Sequence, residues 1–189
     1  GWRWRWIWLL GLGTLPAAAV GLPMKHFIEE SFGSMTTVGC CFLVTGTFLF
    51  LGSSVRGALR TEEELDATDA LTIGAFQALA LMPGVSRSGS TISAGLFRRL
   101  RTDVAARYSF LLGIPAIAGA ELGEAKALLA LGPGARTPLA VGIVVSGVTG
   151  FAAIWGLLRI VQARRLHYFA YYTWALGVLV LVGATFFDL

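Results

Sequence analysis

Charge is scarce in this sequence. Of its 189 residues 14% are charged and 56% are hydrophobic, whereas soluble domains run about 25% charged. That shortage excludes an ordinary cytosolic globule, and the apolar excess excludes a disordered tail. Cysteine is nearly missing, with Cys40 and Cys41 the only pair. Neighbouring cysteines cannot close an ordinary disulfide, and no further ligand stands near them for zinc, so they read as small packing residues. Histidine is as rare, with only His26 and His167, both expected in loops. No basic patch is interleaved with aromatics on a polar face, which excludes nucleic acid as a partner. The Gly-x-x-x-x-Gly-Lys-Ser/Thr loop of nucleotide-binding proteins is missing as well.

Long apolar runs are what remains. They cover 6–22, 35–55, 70–82, 108–122, 138–160 and 168–187. None alternates polar with apolar over about ten residues, so they predict helices and not barrel strands. The 24 glycines fit this class, because small residues let membrane helices approach closely. The expected fold is all-α: one polytopic integral-membrane domain over 1–189. It has about five full crossings and one re-entrant helical hairpin at about 69–100. The segment 25–32 is amphipathic and predicts a short interfacial helix. Thr61 followed by Glu64 fits a capping box, so a helix is expected to start there. The acidic run Glu62–Glu64 reads as the solvated start of that helix and not as a metal site. The opening Trp2-Arg3-Trp4-Arg5-Trp6 suits a membrane boundary and reads as a cut inside a longer chain.

The third run is too short. Fourteen helical residues rise about 21 Å against a hydrocarbon core of about 30 Å. Pro83-Gly84 then breaks it, and a second short helix is expected over 88–100. Basic residues support a re-entrant path. With the N-terminus inside, a re-entrant third run leaves eleven basic loop residues inside and three outside. A full crossing would give six inside and eight outside, against the positive-inside rule. Arg87 alone falls in neither group and lies at membrane depth.

Intramembrane arginine is costly, about 2.5–3.5 kcal/mol at mid-helix on insertion scales, which makes it a functional candidate. It stands at the first turn of a helix, where free N–H groups and the dipole attract anions. Ser86, Ser88, Ser90 and Thr91 add hydroxyls, while Gly84 and Gly89 let the backbone approach a ligand. A planar guanidinium grips phosphate oxygens. These residues predict a phosphate-binding nest inside a membrane. The competing reading has Ser86 as a plain helix cap and Arg87 paired with a carboxylate.

The stretch Phe76-Gln77 through Pro83-Gly84-Val85-Ser86-Arg87-Ser88-Gly89-Ser90-Thr91 resembles the signature of the undecaprenyl-diphosphatase, or bacitracin-resistance, family. The resemblance continues through Tyr108-Ser109-Phe110-Leu111-Leu112-Gly113-Ile114-Pro115 and back to Leu10–Ala17. It implies an inverted-repeat helical membrane fold with two re-entrant hairpins in the bacterial plasma membrane. The implied reaction removes the terminal phosphate of undecaprenyl diphosphate, so the partner is a polyprenyl diphosphate lipid. Arg87, Ser86 and Thr91 are implied as catalytic, and Ser88, Gly84, Gly89, Ser90 and Gln77 as substrate-binding. The family's earlier motif, glutamates followed by Pro-Val-Ser-Ser-x-Gly-His, is missing here. The chain therefore resembles the C-terminal two-thirds of a member. A divalent cation, Mg²⁺ or Ca²⁺, is expected with its ligands outside these residues. A polyprenyl-phosphate carrier and an inactive fragment are the alternative functions; oligomeric state is not read from the sequence. Acid-phosphatase-type lipid phosphatases do not fit, since neither His26 nor His167 lies in such a motif.

Overall fold

The computed structural model describes residues 2–57, 59–129, 134, 136–163 and 165–187. Among the described residues eight helices follow in chain order: α1 Trp2–Gly21, α2 Lys25–Ser31, α3 Met35–Ser54, α4 Ala67–Leu79, α5 Arg87–Phe97, α6 Thr102–Leu129, α7 Arg136–Gln162 and α8 Leu166–Phe187. The chain is thus an all-α polytopic membrane protein. By length and apolarity Met35–Ser54, Thr137–Gln162 and Leu166–Phe186 can each cross a membrane. The pair α1 and α2, bent by 76°, makes up to a fourth. Helix α6, where the remaining crossing is expected, has 28 residues but is not among the helices long and apolar enough to cross. Three, or up to four, of about five expected crossings are therefore met among the described residues. The two histidines lie in helices and not in loops, His26 in α2 and His167 in the first turn of α8.

The short third run is the first arm of a hairpin. Helix α4 has 13 residues and α5 has 11, so each rises about 15–20 Å and neither spans the bilayer. Two apolar clusters meet on α5. One joins Leu9 of α1, Ile73 of α4, Ala94 of α5 and Tyr108 of α6. The other joins Leu49 of α3, Ile92 and Leu96 of α5, Val161 of α7 and Ala170 of α8. Residues 89–96 are all buried. The helices around α5 cover the polar residues of the second arm with protein.

Close approach is bought with glycine at the hairpin's outer wall. A Cβ at Gly74 of α4 would overlap the carbonyl oxygen of Gly13 in α1. Beside this crossing the Tyr108 hydroxyl donates to the Leu9 carbonyl at 2.6 Å.

The expected helix start at Thr61 is not there. Thr61 and Glu64 do pair, with the Thr61 N–H donating to Glu64 Oε2 at 2.8 Å. That amide, then the Thr61 hydroxyl, holds the Glu64 carboxyl below its ordinary range. However, the Glu64 N–H goes to the Thr61 carbonyl and not to its side chain, which closes a turn. The complete capping box lies further on. Asp66 Oδ1 accepts from the Asp69 N–H at 2.8 Å, and Asp69 Oδ2 accepts from the Asp66 N–H at 3.0 Å. Helix α4 therefore starts at Ala67. The second arm also ends sooner than expected. Arg99 takes a positive φ of 60°, and Arg60 bridges to the strand-like segment at Leu100 through Arg60 N–H to Arg99 O and Arg101 N–H to Arg60 O.

Asp69 ties the two ends of the hairpin together. It is fully buried. Arg60 grips it with Nη1 at 2.9 Å and Nη2 at 2.8 Å, and Arg98 Nε donates at 2.7 Å. Removing one partner of a buried ion pair costs about 3–5 kcal/mol. Both arginines keep some access to water, which places Asp69→Ala at the lower end. A destabilisation of about 3 kcal/mol is expected by denaturant unfolding in detergent; a change under about 0.5 kcal/mol would mean that the cluster is only a surface network.

Candidate anion-binding site

The hairpin tip is built from a helix end, a turn and a helix start. Helix α4 closes at Ala80, whose N–H returns to Phe76 and Ala78 carbonyls. Two more tight turns carry the chain to Pro83, with Leu81 N–H to Ala78 O and Met82 N–H to Leu79 O. Gly84 then takes φ of +92°, which residues with a Cβ avoid. A Cβ there would also sit 2.6 Å from the Val38 carbonyl oxygen of α3. Gly84→Ala is therefore expected to displace the turn from α3. Its signature is lost diphosphate binding with α-helical circular dichroism retained; unchanged binding would mean that the turn can re-form elsewhere.

Ser86 caps α5. Its hydroxyl oxygen accepts from the Gly89 N–H at 3.1 Å, and its carbonyl accepts from the Ser90 N–H at 2.9 Å. The N–H groups of Arg87 and Ser88 are left without an acceptor among the described residues. The Ser88 side chain is half-buried beside them. Together with the positive end of α5 they form an anion cradle.

Arg87 is held without being neutralised. Its Nε and Nη2 both donate to Gln77 Oε1 on α4, each at 3.1 Å. Its guanidinium lies against Gly113 of α6, where a Cβ would meet Nη2 at 2.5 Å. Among the described residues Arg87 makes no ion pair. The competing expectation is thus half right. Ser86 does cap the helix, but an amide stands where the carboxylate was to be. The guanidinium is not paired with a carboxylate, and its Nη1, packed against Gly113, makes no hydrogen bond among the described residues.

The other expected site residues separate into two groups. Gln77, Gly84, Ser86, Arg87 and Ser88 surround the cradle. Gly89, Ser90 and Thr91 are buried behind it in α5. Thr91 donates to the Arg87 carbonyl at 2.8 Å and lies 2.5 Å from the Ser109 hydroxyl on α6. It braces the first turn of α5 from inside. Among the described residues the Ser90 hydroxyl and Gln77 Nε2 are buried without a hydrogen-bond partner. Sequence reasoning gave no site role to Ser109, Gly113 or Thr45. Ser109 and Gly113 lie in the stretch that carries the resemblance, whereas nothing in the pattern marks a lone Thr in the apolar run of α3.

The donor set of the cradle is amide N–H, hydroxyl and guanidinium. This suits an oxyanion and does not fit Mg²⁺ or Ca²⁺, which need oxygen ligands. Among the described residues no group of acidic, His or Cys side chains could hold a metal. Glu62 pairs with Arg107 at 3.9 Å, and His26 with Glu30 at 3.4 Å.

A family model described as bacitracin resistance protein BacA matches residues 1–179. The chain belongs to the BacA family. Similar curated relatives carry the name undecaprenyl-diphosphatase. One, from Methanothermobacter thermautotrophicus, is 44% identical over 92% of this chain and 97% of its own length. Those from Desulforapulum autotrophicum and Alkaliphilus metalliredigens are 40% and 39% identical over 91% and 89% of this chain. The chain spans 62% of the length of each of these two. Within the BacA family, then, this chain aligns with a short relative almost end to end and with longer ones in part.

Proposed function

We propose that the chain is an undecaprenyl-diphosphate phosphatase component that grips the diphosphate of the lipid at the tip of its re-entrant hairpin. The product is undecaprenyl phosphate, with inorganic phosphate released, at the plasma membrane. The observation that carries this reading is the un-neutralised Arg87, held by Gln77 beside the free N–H groups of Arg87 and Ser88. The names of the relatives supply the substrate class.

Phosphoryl transfer passes through a loose transition state with charge on the equatorial oxygens, so positioning and electrostatics do most of the work. The Arg87 guanidinium and the two amides are fixed before the substrate arrives. They face the phosphate without reorganisation, and they count for more in a water-poor setting than in water. No described residue at the cradle is placed to activate water, and no carboxylate there would hold a cation. We assign those tasks to acidic residues outside this segment, with Mg²⁺ or Ca²⁺ as the assisting ion.

Reconstitution in liposomes with undecaprenyl diphosphate and Mg²⁺ tests the reading. The 189-residue chain is expected to bind the lipid diphosphate with little turnover. Phosphate release is expected once the N-terminal segment of the Desulforapulum relative precedes Gly1. Lipid movement across the bilayer with no phosphate released would favour a carrier instead. Rapid release by the 189-residue chain itself would show that its own residues complete the site.

A further inference from the structure

Several threonines in these helices share one habit. Thr14, Thr47, Thr72, Thr149 and Thr173 each return the hydroxyl proton to the carbonyl four residues back, the ordinary local bond of a helical threonine. Thr45 of α3 does not. Its hydroxyl donates to the Gly84 carbonyl at 3.0 Å and accepts from the Ser86 N–H at 2.9 Å. It is buried with 1% exposure. One side chain thus holds both ends of the Gly84–Ser86 turn, from a helix about forty residues away in sequence.

We infer that Thr45 is a positioning residue that sets the anion cradle by fixing which N–H groups face the ligand. This rests on the anion-binding reading above. With the Ser86 N–H engaged by Thr45, the first free donors are those of Arg87 and Ser88. Ser86 is thereby held as the helix cap, and Arg87 as the first helical residue, in register with Gln77. The Gly84 carbonyl, which the positive φ turns toward α3, is engaged by the same hydroxyl and does not face an incoming anion. Thr45 is itself held in place. The next residue, Gly46, lies against the Trp174 indole of α8, where a Cβ would sit 2.6 Å from Nε1. That indole donates to the Leu43 carbonyl at 3.1 Å. Helix α3 cannot rotate about its axis without losing both contacts, so the hydroxyl is aimed by α8 packing.

The test titrates the full chain in detergent with inorganic pyrophosphate by calorimetry, in wild type, Thr45→Val, Thr45→Ser and Arg87→Ala. Valine keeps the shape and deletes the hydroxyl, leaving two buried backbone groups unpaired. A loss of affinity on the order of tenfold is expected. Serine restores the hydroxyl and is expected to bind within about twofold of wild type. A merely structural role would not be rescued in this way. If Arg87→Ala loses binding while Thr45→Val keeps it, the inference on Thr45 is overturned and the anion site stands. If Arg87→Ala binds as wild type does, both are overturned. Should Thr45→Val fail to fold, amide hydrogen exchange on the wild type reads the same contact. The Ser86 N–H is expected to be protected and the Arg87 and Ser88 N–H groups to exchange fast. Exchange of Ser86 as fast as Ser88 would overturn the inference.

Discussion

Arg87→Ala is expected to lower phosphate release by about 10²–10³-fold, the usual cost of removing a preorganised donor aimed at developing charge. The measurement is turnover of undecaprenyl diphosphate by the chain joined to the N-terminal segment of a longer relative. Arg87→Lys is expected to rescue little. Gln77 takes two N–H groups of one planar guanidinium at 3.1 Å each, and an ammonium on a flexible stem cannot reproduce that fork. Gln77→Glu separates charge from position. It preserves the shape of the hold but supplies the carboxylate that Arg87 lacks. The guanidinium and the new carboxylate would together be near neutral, so the variant is expected to lose pyrophosphate binding while its unfolding midpoint stays close to wild type. Undiminished release in Arg87→Ala would remove the cradle from the chemistry. Undiminished binding in Gln77→Glu would show that the net charge of Arg87 is not what attracts the ligand.

Gly74→Ala is expected to give the largest loss of stability from a single methyl group. Its Cβ would overlap the Gly13 carbonyl oxygen, with Gly13 C and Pro16 Cγ each 3.0 Å away. Overpacked side chains commonly cost about 1–3 kcal/mol, because rotamers shift to relieve them. A carbonyl oxygen in the middle of α1 has no rotamer, so α1 and α4 must separate and the expected loss lies at or above that range. Separation would also break the bond from the Tyr108 hydroxyl to Leu9 and open the cover of the hairpin. Gly11→Ala is the matched control. It lies on α1, the partner helix in this crossing, where a Cβ meets nothing within 4 Å, and its expected change is within about 0.5 kcal/mol. Unfolding midpoints and monodisperse yield in one detergent decide between them. Equal behaviour of the two variants would mean that the α1–α4 crossing adds nothing to stability.

Much of the architecture was legible in the chain. The apolar runs marked α1, α3, α7 and α8, because membrane helices must bury every backbone polar group internally and advertise this as length and apolarity. Pro83-Gly84 after a run too short to cross marked the break between α4 and α5, and Arg87 with its serines marked the turn proposed above to bind an anion. Local signals misled where a longer-range bond competed. Thr61 and Glu64 had the spacing of a capping box, yet the stronger box at Asp66 and Asp69 set the start of α4. The sequence predicts a second short helix over 88–100, but α5 ends at Phe97, where Arg60 bridges to Leu100.

Residue type and spacing by themselves determined that this is a helical membrane protein whose third apolar run is short, broken by Pro83-Gly84 and followed by a cationic turn. Those properties follow from solvation and local backbone geometry, which neighbours in sequence decide. The tertiary structure alone decided that the partner of Arg87 is Gln77, that Gly113 is its floor, that Thr91 braces the turn from behind, and that Thr45 pins it from α3. These contacts depend on how α3, α4, α5 and α6 are seated against one another. That seating is set by where glycines allow backbones to touch, and a glycine in an apolar run does not show in advance which helix it will meet.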